Sequence, residues 1–138
     1  MRSRKLARRS QAQTGNCFDA SCPAREVLTH VTSRWGGLVL AALLKGGLRY
    51  SEIRARVGGI SEKMLAQTLD VLERDGLIVR TSHPVVPPRV EYALTSNGLA
   101  LGTRLMDLFT WIGANVLTVV EAQAAYDATR RAAVARSW

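Results

Sequence analysis

Lys63, Gln67 and Arg74 stand four and seven residues apart, a spacing that keeps side chains on one face of an α-helix. An amine, an amide and a guanidinium are the groups that reach phosphates and base edges when such a helix lies in a major groove. Ser61 comes just ahead of them, where a hydroxyl accepts from the orphan amides of a helix start, and Glu62 suits the positive end of the helix dipole. The N-terminal half of such a helix enters the groove. Ser61 and Lys63 are therefore expected at phosphates or bases and Gln67 at a base edge, with Thr68 assisting from the side and Arg74 further along the same face. Arg89 follows the proline-stiffened loop Pro84–Pro88, placed to reach a minor groove or its flanking phosphates, where narrow A/T-rich stretches attract guanidinium groups. Tyr50 and Ser51 begin the preceding helix and are candidates for bonding the backbone there. For each of these residues the competing reading is a solvated surface side chain.

A second chemistry resides in two thiols. Cys22 immediately precedes a proline-started helix, where unpaired amides and the helix dipole favour a thiolate, and Arg25 adds positive charge along the chain. Oxidation or alkylation at Cys22 would alter the start of that helix. Cys17, five residues earlier, is close enough along the chain to resolve a sulfenate or to pair across a dimer. The other reading is a packed structural cysteine at Cys22 and an incidental one at Cys17. A metal site through Cys17, Cys22 and His30 lacks a fourth ligand, so neither metal nor cofactor is expected. The chain does not look like an enzyme. Its cysteine spacing is not the two-residue spacing of thiol-disulfide exchange, His30 and His83 are the two histidines, with His83 read as a turn residue, and no Gly-rich phosphate loop or paired-carboxylate constellation is present. A thiol-disulfide redox protein remains one alternative. The other is a winged helix that binds protein or RNA, for which an apolar or aromatic face would be expected in place of Lys63 and Gln67.

Positioning these groups requires a succession of elements, and the apolar periodicity supplies one. Ile53 and Val57 mark a short helix from Tyr50 to Val57, broken by Gly58-Gly59 before Ile60-Ser61. Leu65, Leu69 and Leu72, flanked by Met64, give the helix from Ser61 a buried stripe that ends at Asp75-Gly76. Val90, Tyr92 and Leu94 alternate with Arg89, Glu91 and Ala93, a half-buried strand that pairs back on Leu77 to Thr81 as a hairpin wing. Upstream, Pro23 starts a first helix with Val27, Leu28 and Val31 on one side. Trp35 and the run Leu38–Leu44 make a second helix that is apolar nearly all round, and Leu48–Tyr50 is a candidate third strand. After the wing, Thr95–Gly98 is a capping cluster. The helix beyond it, running to about Val120, places Leu101, Leu105, Leu108 and Ile112 on one stripe with Phe109 and Trp111 beside it. That stripe, with Phe109, is expected to pair with a second copy in a two-fold dimer; the alternative is that Phe109 and Trp111 fold back on the first helix. The fold is therefore expected to be mainly α with a small β-hairpin wing (α+β), a winged helix-turn-helix with N- and C-terminal dimerisation helices. The expected divisions are a disordered basic arm at 1–15, the winged domain with its dimerisation helices at 16–120, and a C-terminal helical tail at 121–138.

With 138 residues and 47% apolar content there is room for one core. Of 19 basic residues, Arg2, Arg4, Lys5, Arg8 and Arg9 lie in the first nine positions without an acid among them, leaving 14 against 11 acids in the rest. A cationic arm on a mildly basic domain raises encounter rate with a polyanion without carrying sequence information, unless it serves only to solubilise the chain. The longest apolar run, Gly36–Leu44, is far short of the roughly 18 residues of a spanning helix, so no membrane partner is expected and the chain is read as cytoplasmic. Two cysteines fit a reducing compartment.

These residues together carry a resemblance. From Cys22 to about Gly113 the chain resembles the HxlR-type family of bacterial winged helix-turn-helix transcriptional regulators. The motifs are Cys22-Pro23, Trp35, Arg49-Tyr50-Ser51-Glu52-Ile53, Gly59-Ile60-Ser61 with Lys63 and Leu65, Leu72-Glu73 through Asp75-Gly76-Leu77-Ile78, and Pro87-Pro88-Arg89-Val90-Glu91-Tyr92 with Leu94-Thr95. Arg34 stands before Trp35 where the family commonly has lysine, which leaves the charge unchanged. The resemblance implies a homodimer that binds double-stranded DNA at an inverted-repeat operator, often as a repressor of a neighbouring gene. It also implies that a small electrophile or oxidant acting on a cysteine is a possible inducer.

Overall fold

The computed structural model describes residues 14–138; most of the expected basic arm at 1–15 lies outside the described residues. Helix α1 (Pro23–Thr32) begins on Pro23, whose fixed φ suits a first helical position. Helix α2 (Gly36–Ala42) follows, then strand β1 (Leu48–Arg49), helix α3 (Tyr50–Arg56) and helix α4 (Glu62–Arg74). Strands β2 (Ile78–His83) and β3 (Arg89–Leu94) form the wing, and helix α5 (Ser96–Arg136) closes the chain. The sheet is antiparallel in the order β1-β3-β2, with Ile78 opposite Leu94, His83 opposite Arg89, and Leu48 opposite Tyr92. This is the α+β winged helix-turn-helix expected from the periodicity.

The core forms where the three central helices meet the root of the wing. Val39, Leu40 and Leu43 of the α2 segment, Ile53 of α3, Leu65 and Leu72 of α4 and Ile78 of β2 are all essentially sealed from solvent. Helix α2 is buried on most sides, with Leu38 open at 40% exposure, and its glycines allow close approach: a Cβ on Gly36 would collide with the His30 carbonyl oxygen. Gly98 does the same for α5, where a Cβ would meet the Leu77 carbonyl oxygen. Thr95 fixes that junction, its hydroxyl accepting from the Gly98 amide at 3.1 Å and donating to the Gly76 carbonyl at 2.6 Å.

Helix α5 differs most from expectation. It runs 41 residues without a break, about 61 Å at 1.5 Å per residue, so nothing separates a tail at 121–138 from the helix ending near Val120. Its buried residues are Gly98, Gly102 and Leu105, all in the first turns. The expected interface stripe therefore divides. Leu105, at 7% exposure, belongs to the subunit's own core, and Leu101 and Phe109 pack against it. A side chain covered within its own subunit has little surface left for a partner. Leu108 and Ile112, at 49% and 47% exposure, are open. So are Trp111, Val116, Leu117 and Val120, along with Val27 and Leu28 on α1. Phe109 folds back within its own subunit, its ring beside Gly37 of α2. By length and composition α5 is apolar enough to cross a membrane, with a window of mean hydropathy 1.3 that is 6% buried, a property that inspection of unbroken apolar runs overlooked.

Candidate nucleic-acid interface

The reading helix is fixed at its start. Ser61 sits in extended backbone as the N-cap of α4, and its hydroxyl accepts from the Met64 amide at 3.1 Å. Gly59 makes the preceding turn at φ +85°, a conformation that side chains with a Cβ avoid. Two contacts that sequence inspection missed tie α3 to α4 across this turn. The Arg54 guanidinium pairs with Glu62 at 3.1 Å and donates to the Ile60 carbonyl at 3.4 Å. The Tyr50 hydroxyl donates to the Glu62 carbonyl. Tyr50 is thus a half-buried brace between the two helices, with its hydroxyl hydrogen already used. Ser51 is exposed at the start of α3, where the Glu52 carboxylate accepts from the Arg49 amide at 3.0 Å.

Beyond Ser61 the expected face is present. Lys63 and Gln67 are exposed, and among the described residues neither side chain is engaged in an ion pair or a hydrogen bond. Thr68 is half-buried and donates its hydroxyl to the Met64 carbonyl at 2.7 Å, which leaves its oxygen as an acceptor only. Arg74 is the last residue of α4 and pairs with Glu26 of α1 at 3.5 Å. It lies about 16 Å along the axis from Lys63, at the far end from the reading turn. Helix α4 itself carries three acids and two cations. Cations in the neighbouring elements add to these: Arg54 of α3, which pairs with Glu62 in the first turn of α4, and Arg80 and Arg89 on the wing.

At the wing, Arg89 donates to Glu91 at 2.8 Å, and His83 approaches the other oxygen of the same carboxylate at 3.5 Å. His83 is therefore the end of a strand, opposite Arg89, and not part of a turn. Arg89 is thus already paired, and a phosphate arriving there competes with the Glu91 carboxylate for the guanidinium. Arg80 projects from the exposed middle of β2 and was not singled out in the sequence; its place in a strand that alternates into the core only at Ile78 was the available signal.

The thiols sit on a compact turn. Cys22 is the N-cap of α1, partly covered, and its sulfur accepts from the Asn16 amide at 3.3 Å. Arg25 does not point to either sulfur: its Nε donates to the Cys17 carbonyl at 2.7 Å and its Nη2 to the Phe18 carbonyl at 3.1 Å. Cys17 is exposed, its thiol directed to the Ala24 carbonyl at 3.8 Å. Asp19 completes the turn, and bonds from the Ser21 hydroxyl and amide hold its carboxyl below the usual range. A change at Cys22 would release the Asn16 amide and disturb the seat of α1.

That helix is joined to the reading helix by a clasp. His30 Nδ1 lies 2.6 Å from Asp75 Oδ2, with the two side chains 18% and 10% exposed, and Asp75 is the C-cap of α4. Sequence reading weighed His30 only as a metal ligand. Among the described residues no cluster of three metal-ligating side chains exists.

A family model described as HxlR-like helix-turn-helix matches residues 30–119. The uncharacterized HTH-type transcriptional regulator YtfH of Escherichia coli (strain K12) is 51% identical over 110 residues, covering 80% of this chain and 87% of that protein. The solved structure of the putative transcriptional regulator ytfH from Salmonella typhimurium is 51% identical with a TM-score of 0.75, covering 80% of this chain and 98% of the other. The redox regulator HypR in its oxidized form is 32% identical with a TM-score of 0.63, over 68% of this chain and 97% of its own. Both thiols precede the matched family region, so that match carries the reading head and not the cysteine chemistry.

Proposed function

The chain belongs to the HxlR-like helix-turn-helix family of transcriptional regulators, and from that premise we propose that it is a cytoplasmic homodimeric repressor that binds an inverted-repeat DNA operator. The observation that carries this reading is the unengaged pair Lys63 and Gln67 on a capped helix whose start is braced by Arg54 and Tyr50. Lys63 and Ser61 meet phosphates, Gln67 reads a base edge, and Arg89 follows the adjacent minor groove. The dimer is supported by the exposed apolar side chains Leu108, Ile112 and Val116 together with Val27 and Leu28, since clustered exposed apolar surface marks interaction sites. A two-fold axis between the subunits sets the two reading helices about 34–36 Å apart, matching half-sites one helical turn apart.

The same proposal includes the switch. Oxidation or electrophile modification of Cys22, with Cys17 as the resolving or intersubunit thiol, breaks the Asn16 contact and shifts α1, which the His30–Asp75 clasp connects to α4. The test is a gel shift against the DNA upstream of the chain's own gene and of its neighbours, at moderate salt, with and without diamide. Sequence-selective retention that diamide abolishes in the native chain and spares in Cys22→Ser supports both parts. Retention unaffected by diamide refutes the switch alone, and a monomer without sequence preference refutes the whole reading.

A further inference from the structure

Between the reading head and α5 the surface folds inward to a cavity of about 640 Å³. Leu38 and Leu44 form one wall, Val57 at the end of α3 a second, and Met106 and Phe109 of α5 the third. Small-molecule sites typically occupy roughly 300–1,000 Å³ and combine apolar walls with a few convergent polar groups. The charged residues on this lining are Lys45 and Arg56, and no acid is among them. Arg56 is held in place, its Nη1 donating to the Ala42 carbonyl at 3.1 Å. Among the described residues neither cation is in an ion pair.

We propose that this cavity binds a small aromatic carboxylate, its ring against Phe109 and Met106 and its anionic group toward Lys45 and Arg56. Charge complementarity decides the class. A neutral hydrocarbon, or an apolar helix of a second copy seated in the cavity, would leave the two exposed cations on its lining without a counter-charge, whereas a carboxylate pairs with them. The ring supplies the apolar surface that the walls need covered. None of the residues from Ser61 to Gln67 is on its lining, and its occupancy does not depend on whether that face meets DNA. Because its walls belong to α2, α3 and α5 at once, an occupant bears on the angle between the reading head and the long helix.

The experiment uses the full chain, isotopically labelled, with 1-naphthoate as probe and the neutral 1-naphthalenemethanol as its counterpart. Naphthoate is expected to shift the Gly58 and Ala42 amide resonances saturably and to bind about three- to fivefold more tightly than the alcohol for each cation engaged. Lys45→Gln should weaken the acid and leave the alcohol unchanged. A Cβ on Gly58 meets nothing within 4 Å, so Gly58→Leu should fill the cavity without disturbing the backbone, abolishing both ligands while the thermal melt stays near that of the parent. Equal affinity for acid and alcohol overturns the proposal. So does an absence of saturation at several millimolar, or shifts confined to Leu108–Val120. A Gly58 resonance that moves on diluting the unliganded protein also overturns it, since a second copy then fills the space.

Discussion

Replacing His30 with alanine removes one end of the clasp between α1 and α4, and its cost follows from how deeply that clasp is set. The 2.6 Å contact joins two side chains that are 18% and 10% exposed, so solvent screening discounts it little. A hydrogen bond to a charged group contributes about 1.5–3 kcal/mol net, and truncating one partner leaves the other covered and unpaired. The expected loss for His30→Ala is thus about 2 kcal/mol. At about 4 °C per kcal/mol for a chain of this size, the melting temperature falls by about 8 °C. Asp75→Asn should cost less, about 1 kcal/mol, because it also removes a negative charge from the C-terminal end of α4, where the helix dipole disfavours it. Glu26→Ala should cost little: its carboxylate, 59% exposed, lies 3.5 Å from Arg74 and 3.8 Å from His30 Nε2, and exposed pairs of this kind contribute about 0–1 kcal/mol. The assay is denaturant unfolding followed by circular dichroism at fixed protein concentration, arranged as a double-mutant cycle between His30→Ala and Asp75→Ala. A coupling of about 1–2 kcal/mol is expected. Strict additivity of the two losses would refute the argument, because it would mean that the two side chains stabilise the fold separately.

Three further outcomes are expected. Lys63→Ala weakens binding to all duplexes alike and lowers the salt slope by about one, whereas Gln67→Ala costs about 1–3 kcal/mol on the preferred site alone, both read by fluorescence anisotropy across salt concentrations. Leu105→Ala opens a cavity in the subunit core and costs about 2–5 kcal/mol of unfolding free energy, while Ile112→Glu leaves the subunit fold intact and shifts sedimentation from dimer to monomer. Gly98→Ala forces a Cβ onto the Leu77 carbonyl and lowers the melting temperature by more than any exposed glycine-to-alanine change on the surface, Gly113→Ala being the control with open space around it.

The reading helix was legible because every signal for it is local: the Ser61 cap, the leucine stripe and Gly76 at the stop lie within 16 residues. The wing was legible for the same reason, with alternating strands either side of a proline loop. Helix α5 was not, because past Val120 its alanines carry high helix propensity without an apolar stripe to show that the helix continues. Leu105 and Ile112 share one periodic face, and only tertiary packing places the first inside and the second outside. The His30–Asp75 clasp spans 45 residues and has no period at all. Tyr50 looked like a free contact group because its partner is a backbone carbonyl twelve residues on, which no side-chain pattern reveals.

The reading head closes its own core within the first turns of α5, so changes in the remaining two-thirds of that helix leave the stability of the head untouched. A cell that carries several related regulators has to keep their subunits from exchanging, and in the proposed dimer this rod is where identity tags can accumulate without penalty to folding. In the proposed dimer, operator choice and mating choice are written in separate parts of the polypeptide, and each is free to drift without dragging the other along.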